Sequence, residues 1–430
     1  MAPDPSRLLF ADLKIVELGQ YIAAPYAAEL FAHGGADVVS VEPVDGGPTR
    51  HNSPLGPPGD GRQYVIKARG KRSLPCSLST PEGREILKRL VDEADVVISN
   101  LRPGLASSLG IGWDTLQHER PDLIFAEING FGDEGPLAEV ACVDIVAQAA
   151  SGLMRSLGRR QEGRPQPTDV MICDYTTGCL LAFGIAAALR HRERTGKGQR
   201  VASSLMNAGL TAQHRRASRF DRVDQWHDEL LTEVGHEPMD ELTAWREEQI
   251  GVQPFFYNCF VAADGEIAVG AVATNGPKML EVLGLDPNEL DGPATMKGMT
   301  VGETADLVAA HVAGREVEGL VNELRAVGVP CTRINFLEEA MANPDFHAAG
   351  LLQQFDHPRL GLTTMPAPPV RFSGVDYEAG TDTPEFGVHT DELLRGLGYN
   401  DAVIEQLVAD GVVARSLPPT QRSAERPVGF

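Results

Sequence analysis

The stretch Lys14–Val41, KIVELGQYIAAPYAAELFAHGGADVVSV, decides the fold class. Lys14–Leu18 is a short apolar run rich in β-branched residues and predicts a buried strand. Pro25–His33 predicts a helix, with Pro25 in its first turn, where a missing N–H costs little. Ala36–Val41 returns to the β-branched pattern of a second strand. Strand, helix and strand in so short a span make a βαβ unit, and such units imply a parallel sheet.

The pattern continues outward. Pro81–Ala94 predicts a helix, with Thr80 as cap, Pro81 next, and Glu82 and Glu85 in the first turn. Asp95–Ile98 and Leu123–Ile128 predict further strands. Leu205–Gln249 differs: it is charge-rich, carries Trp226 and Trp245, has no strand signal, and reads as a helical linker. Asn258–Ala262 and Glu266–Val272 flank Ala263-Asp264-Gly265, a hairpin signal. With Lys278–Leu283 and Val301–Leu324 as helices, this predicts a second, smaller α+β domain. After Asn335 come another helix and a proline-rich loop, then helices at Thr390–Arg395, ended by Gly396, and Asp401–Ala409. The expected organisation is 1–204 for the first part of a large domain, 205–249 for the linker, 250–330 for the small domain, and 331–430 for a linker and C-terminal segment.

At 430 residues the chain is long enough for two domains, and its 42% hydrophobic content supports real cores. Its formal net charge of −22, from 60 acidic and 38 basic residues, argues against nucleic acid or an anionic membrane surface as partner. No stretch reads as approaching the roughly 20 apolar residues of a membrane span. Met1–Ser6 lacks the pattern of a signal peptide. Cysteines 76, 142, 173, 179, 259 and 331 form no C-x-x-C pair, which suits neither a zinc site nor a disulfide framework. They read as reduced thiols of a cytoplasmic protein, with no metal centre.

Each candidate site has a functional and a plain reading. Leu18–Pro25 follows the first strand without a G-x-G-x-x-G fingerprint, yet lies where α/β sheets bind ligands. Ala68-Arg69-Gly70-Lys71-Arg72-Ser73 is a basic cluster suited to phosphate, or a solvated loop. Asn100-Leu101-Arg102-Pro103-Gly104 follows a strand closely and is a ligand loop or a plain turn. Gly130–Pro136 is glycine-rich, and Asp144 opens an apolar helical run to Met154 as a cap or a site acid. Asp174 precedes the apolar run Cys179–Leu189 and falls in the first turn of a predicted helix. Free N–H groups and the helix dipole there are expected to keep it ionised, as a cap or as a nucleophile. Cys173 beside it has no histidine near in sequence to activate it.

Taken together, these segments resemble the class III CoA-transferase family, which includes formyl-CoA transferase and the CaiB and BaiF proteins. The resemblance is carried by Leu13–Leu18 with Ala24-Pro25, Gly35–Val39 with Val41-Glu42-Pro43, and Gly70–Ser73. Asn100–Gly104, Gly130-Phe131-Gly132, Arg194–Gln199 and Gly387–Thr390 add to it. It implies an interlocked homodimer, each chain with a Rossmann-like large domain, a small domain and long linkers. It implies a CoA-transferase acting on an acyl-CoA and a carboxylic acid, with coenzyme A as co-substrate and no permanently bound cofactor. Asp174, in the motif D-x-x-[TA]-G, is implied as the nucleophile that forms an aspartyl anhydride and then an aspartyl-CoA thioester. Tyr21, Ile22 and Ala23 are implied to line CoA. Arg69, Lys71, Arg72, Asn100 and Arg102 match the nucleotide and phosphate region, and Asp144 an acidic position near the site. Ala68 and Ser108 depart from the family pattern, and Gly251-Val252-Gln253-Pro254 is not the glycine-rich shielding loop of formyl-CoA transferase. A 2-methylacyl-CoA racemase is the alternative, but it needs a histidine before the Asp144 position, where this chain has Val143. A non-catalytic acyl-CoA binder is the third.

Overall fold

The computed structural model describes residues 7–157, 160–161, 164–218, 220, 222, 257–271, 274–291, 295–378, 380 and 382–418. The chain divides into two compact units, 1–218 with 347–430, and 219–346. The first is built on six parallel strands: β1 (Lys14–Leu18), β2 (Asp37–Glu42), β3 (Lys71–Pro75), β4 (Val96–Ser99), β5 (Ile124–Asn129) and β6 (Gln199–Ser204). Their order is β3-β2-β1-β4-β5-β6. The order turns back between β1 and β4, so the loops after these two strands share a crevice at the carboxyl end of the sheet, where such folds take ligands.

Side chains alternate across the sheet and feed two cores. Val16, Leu18, Val39, Leu74 and Val97 pack on one face. Ile15, Val38, Val96, Ile98 and Ile124 pack on the other. The second face is covered by helices α1 (Ala23–Ala32) and, later in the chain, the long helix Ile172–Thr195. Between them in sequence lie α2 (Arg62–Lys67), α3 (Pro81–Glu93) and α4 (Asp144–Ala150); the long helix is α5, and α6 (Leu205–Thr211) follows. Thr80 caps α3 as expected, accepting the Gly83 N–H at 3.1 Å. The first face is closed by the C-terminal helices Thr390–Gly396 and Asp401–Ala409, through Leu393, Leu394, Ile404 and Leu407.

By length and composition α5 could cross a membrane, which corrects the expectation that no stretch approaches that size. Its Cys173, Thr177, Leu181, Ile185 and Ala188, spaced three or four apart, are buried.

The second unit holds an antiparallel sheet in which Tyr257–Ala262 and Gly265–Gly270 form the expected hairpin and Cys331–Arg333 adds a third strand. Helices Gly276–Val282, Val301–Ala313 and Val317–Ala326 enclose a core of Ile267, Val269, Met279, Val308 and Leu320. The stretch read as helical from Val301 is thus two helices, parted at Gly314.

Strands also lie where sequence patterning had none. β3 occupies the basic cluster, β6 the Gln199 region, and a hairpin of Leu352–His357 with Gly361–Pro366 part of the expected proline-rich loop. The run from Asp144 breaks at Gly152, whose φ is +80°. Most of the expected linker, with Trp226 and Trp245, and the segment Gly251–Pro254 lie outside the described residues.

Candidate functional site

Two loops meet at the crevice. After β1 the chain turns through Gly19 and Gln20 to Tyr21, a non-glycine residue at φ +63°. Gly19 has to be glycine in this geometry: a Cβ would lie 2.7 Å from the Glu17 carboxylate and 2.9 Å from the Pro25 ring. Asn100, after β4, fixes the loop by its side chain. Its carboxamide oxygen accepts the Gln20 N–H at 2.9 Å, and its NH₂ donates to the Gln20 carbonyl at 2.8 Å. Ile22 and Ala23 are buried at the start of α1, whereas Tyr21 is 49% exposed. Beside this loop lies an open cleft of about 380 Å³ lined by Arg102, Trp113, Asn129, Asp133 and Arg200. Arg102 is exposed there, and Arg200 is drawn to Glu127 and Asp133.

Asp174 stands in the first turn of α5. The helix begins at Ile172, and its N-cap residue Met171 supplies no side-chain cap. The cap comes from elsewhere: Asp144, buried at the start of α4, accepts the Asp174 N–H at 2.9 Å. Gln148, one turn on in α4, holds Asp144 by a short bond to its other oxygen. Gln148 is itself fixed by the Thr168 N–H at 3.1 Å. Asp144 therefore does cap a helix, but α5 rather than its own.

This arrangement corrects the expectation that Asp174 is held firmly ionised. Burial raises its pKa to about 7, Asp144 adds to the rise, and Lys67 opposes it. The dipole of one helix end is outweighed by loss of water and a neighbouring carboxylate. Cys173 is pushed up to about 12 by burial and by the two aspartates, which leaves it a poor nucleophile near neutral pH.

Helix α5 reaches this place because Gly178 lets it lie close to α1. A Cβ there would meet the Ala23 carbonyl at 2.8 Å and the Tyr26 ring at 3.0 Å. Tyr26 and Tyr175 pack edge to face, with centroids 4.9 Å apart.

The basic cluster is spent internally. Lys71 donates to Glu17 at 2.7 Å and to the Pro25 carbonyl at 2.8 Å, wholly buried. Arg69 is buried against Glu29 at 3.2 Å. Arg72 is not brought to the crevice: it binds Asp37, at the amino end of β2, and Glu392. The sequence offered a phosphate site or a solvated loop here, and neither reading saw that Lys71 and Arg72 begin a strand and pair with carboxylates distant in sequence. Ser108 is exposed in a short helix and bonds to the Leu105 carbonyl.

Sequence reading missed Lys67 and Gln63, one helical turn apart in α2. Lys67 lines a small pocket with Gly19, Tyr21, Thr49 and Gln63, and its ammonium lies 5.5 Å from the centroid of the Tyr175 ring. The available signal was a Gln-x-x-x-Lys spacing immediately before the basic cluster.

The chain is similar to known proteins over nearly its whole length. The family model for CoA-transferase family III matches residues 10–390. The human succinyl-CoA:glutarate CoA-transferase is 30% identical over 414 residues, covering 93% of this chain and 89% of that protein. A formyl-CoA:oxalate CoA-transferase of Rhodopseudomonas palustris is 29% identical over 426 residues, covering 96% and 98%. Among solved structures, a CAIB/BAIF family protein from Brucella suis superposes with a TM-score of 0.69 at 28% identity, covering 91% of this chain and all of that one. A Mycobacterium tuberculosis protein shares the fold with a TM-score of 0.72 at 24% identity, covering 89% and 98%.

Proposed function

The chain belongs to CoA-transferase family III, and we propose that it moves CoA from an acyl-CoA to a free carboxylic acid with Asp174 as nucleophile. The observation that carries this reading is the setting of Asp174, a carboxyl in the first turn of α5 whose amide is held by Asp144.

The ionised Asp174 carboxylate attacks the thioester carbonyl. The C–S bond breaks, CoA leaves as thiolate, and an aspartyl anhydride remains. The thiolate then attacks the aspartyl carbonyl, the anhydride C–O bond breaks, and the donor acid departs, leaving an aspartyl-CoA thioester. The acceptor carboxylate attacks that thioester carbonyl and expels CoA thiolate. The thiolate attacks the acceptor's acyl carbon in the new anhydride and restores the Asp174 carboxylate. Each step conserves the acyl-transfer energy, so one difficult exchange becomes several easier ones.

Burial at Asp174 serves this chemistry in two ways. It weakens the hydration of the nucleophile, and it limits the water that would hydrolyse an anhydride. CoA is co-substrate, with its nucleotide in the cleft beside Asn100 and Arg102 and its pantetheine arm passing Tyr21–Ala23. Val143, before Asp144, offers no acid or base for racemisation.

A cytoplasmic homodimer, bound to no membrane, completes the reading. The homodimer is supported by the exposed apolar surface of α4 and α5, where Ile145 is 48% and Phe183 73% exposed, and the cytoplasmic reading by six free cysteines.

The test uses hydroxylamine with acyl-CoA and acceptor acid. Expected are a hydroxamate on Asp174 and loss of exchange in Asp174→Ala; full exchange by that variant would end the proposal.

A further inference from the structure

Asp144 is a second carboxylate beside the nucleophile, and its Oδ2 lies 2.9 Å from the Asp174 backbone nitrogen. Bond lengths hold an aspartate's carboxyl carbon within about 4 Å of its own backbone nitrogen, so the Asp174 carboxyl carbon is no more than about 7 Å from Asp144 Oδ2. A single water can bridge such a gap, since each of its hydrogen bonds covers about 2.8 Å. Once Asp174 carries an acyl group, a carboxylate at that distance is a ready general base for hydrolysis. It takes a proton from the water, the hydroxide attacks the acyl carbonyl of the anhydride, and the anhydride C–O bond breaks. The free acid leaves, Asp174 is restored as carboxylate, Asp144 passes its proton to solvent, and no CoA is transferred.

Both oxygens of Asp144 are nevertheless engaged. Oδ2 accepts the Asp174 N–H, and Oδ1 accepts a short bond from the Gln148 carboxamide. Backbone groups fix which way that carboxamide points. The Thr168 N–H donates to Gln148 Oε1 at 3.1 Å, and Gln148 Nε2 also reaches the Thr168 carbonyl at 3.4 Å. The NH₂ therefore has to face Asp144. Gln148 stands one turn beyond Asp144 on α4, the spacing at which helical glutamine and aspartate side chains meet. Asp144 is 3% and Gln148 1% exposed, so neither is tied down by bulk water. Capping α5 needs only Oδ2. The second fixed donor, on Oδ1, does nothing for the cap and takes up the oxygen that would otherwise be free to serve as a base.

We infer that Gln148 is a positioning residue that keeps the reaction to transfer and away from hydrolysis: by holding Asp144 Oδ1 it prevents that carboxylate from activating water against the acyl-enzyme. The inference rests on the acyl-transfer reading above. Gln148 acts through Asp144 and touches no reacting atom. Freed at Oδ1, the Asp144 carboxylate turns about its own side-chain bonds and meets a water at the anhydride.

The test measures hydrolysis per transfer. The donor is whichever of acetyl-, butyryl-, succinyl- and benzoyl-CoA gives the strongest hydroxamate on Asp174, and the acceptor is one of the other three acids. In ¹⁸O-labelled water, labelled donor acid counts hydrolysis and the new thioester counts transfer. Gln148→Met, which removes both ends of the carboxamide, should raise the ratio by about tenfold or more. The ratio is read within one preparation, so a smaller folded fraction cancels. Gln148→Glu keeps the oxygen for Thr168. Burial raises a glutamate there above its usual range, so at about pH 5.5 it is a neutral acid able to donate to Asp144 Oδ1, and at about pH 8 an ionised one that is not. Its ratio should lie near wild type at the lower pH and near Gln148→Met at the higher. Cys142 and Cys173, pushed up by burial to about 11 and about 12, stay neutral over this range, and Asp174 and Lys67 are common to all variants. Adding Asp144→Asn to Gln148→Met removes the base, and hydrolysis should fall back toward the wild-type ratio. A ratio unmoved in Gln148→Met and Gln148→Glu overturns the inference. A rise that survives Asp144→Asn also overturns it, since that marks a loosened fold admitting water. Either result alongside a hydroxamate leaves the transferase reading standing, whereas no hydroxamate from any of the four donors removes that reading and this inference with it.

Discussion

At Asp174 two demands oppose each other. A nucleophile has to be ionised, yet a half-buried carboxylate set beside Asp144 resists ionisation until about pH 7. The reactive form therefore accumulates as the pH rises. Exchange, followed as kcat/KM, should increase about tenfold per pH unit below this value and level off above it. Asp144→Asn keeps an oxygen that can accept the Asp174 N–H while removing the neighbouring charge, so the midpoint should move to lower pH. A rate that stays flat or falls between about pH 5.5 and 8 would contradict Asp174 as the ionising nucleophile. The helix start around Asp174 was legible in the sequence because its signals are local. Its protonation was not, because Asp144 lies 30 residues away and reaches it only in the folded chain. Lys67 was missed for the same reason, since a lysine's burial is not written in its neighbours.

Among elements, the contact of α1 with α5 places the site. Gly178 is one turn beyond Asp174, and the close approach it permits sets the nucleophile against the Gly19–Ala23 loop. Gly178→Ala would press a methyl onto the Ala23 carbonyl. The expected result is a loss of about 1–3 kcal/mol in chemical denaturation. With it should come a drop in kcat of up to about 100-fold, as the carboxylate shifts by a fraction of an ångström. A variant with wild-type stability and kcat would show that the helices are free to move apart. β1, β2, β4, β5 and α3 were legible because their apolar periods and caps are unbroken. β3 was not: its exposed-looking Lys71 and Arg72 find their carboxylates on β1 and β2. The hairpin at Leu352–Pro366 alternates polar and apolar residues too weakly to announce itself against the prolines around it.

For the molecule as a whole, the apolar surface on α4 and α5 bears on its state in solution. Light scattering should return twice the chain's 46.2 kDa, and Phe183→Glu should shift the population toward the single chain. A wild-type protein that is monomeric at micromolar concentration would remove the dimer from the proposal. The order of the chain has a separate consequence. The first unit is interrupted by residues 219–346 and finished by Leu393, Leu394, Ile404 and Leu407, which cover Val39, Leu74 and Leu87. While a ribosome makes the inserted unit, at roughly 5–20 residues per second, the part of this face that α3 leaves to the C-terminal helices waits uncovered for many seconds. Newborn chains are thus exposed to misassociation during that interval, and messages truncated before residue 390 should yield insoluble product however well their sheet has formed.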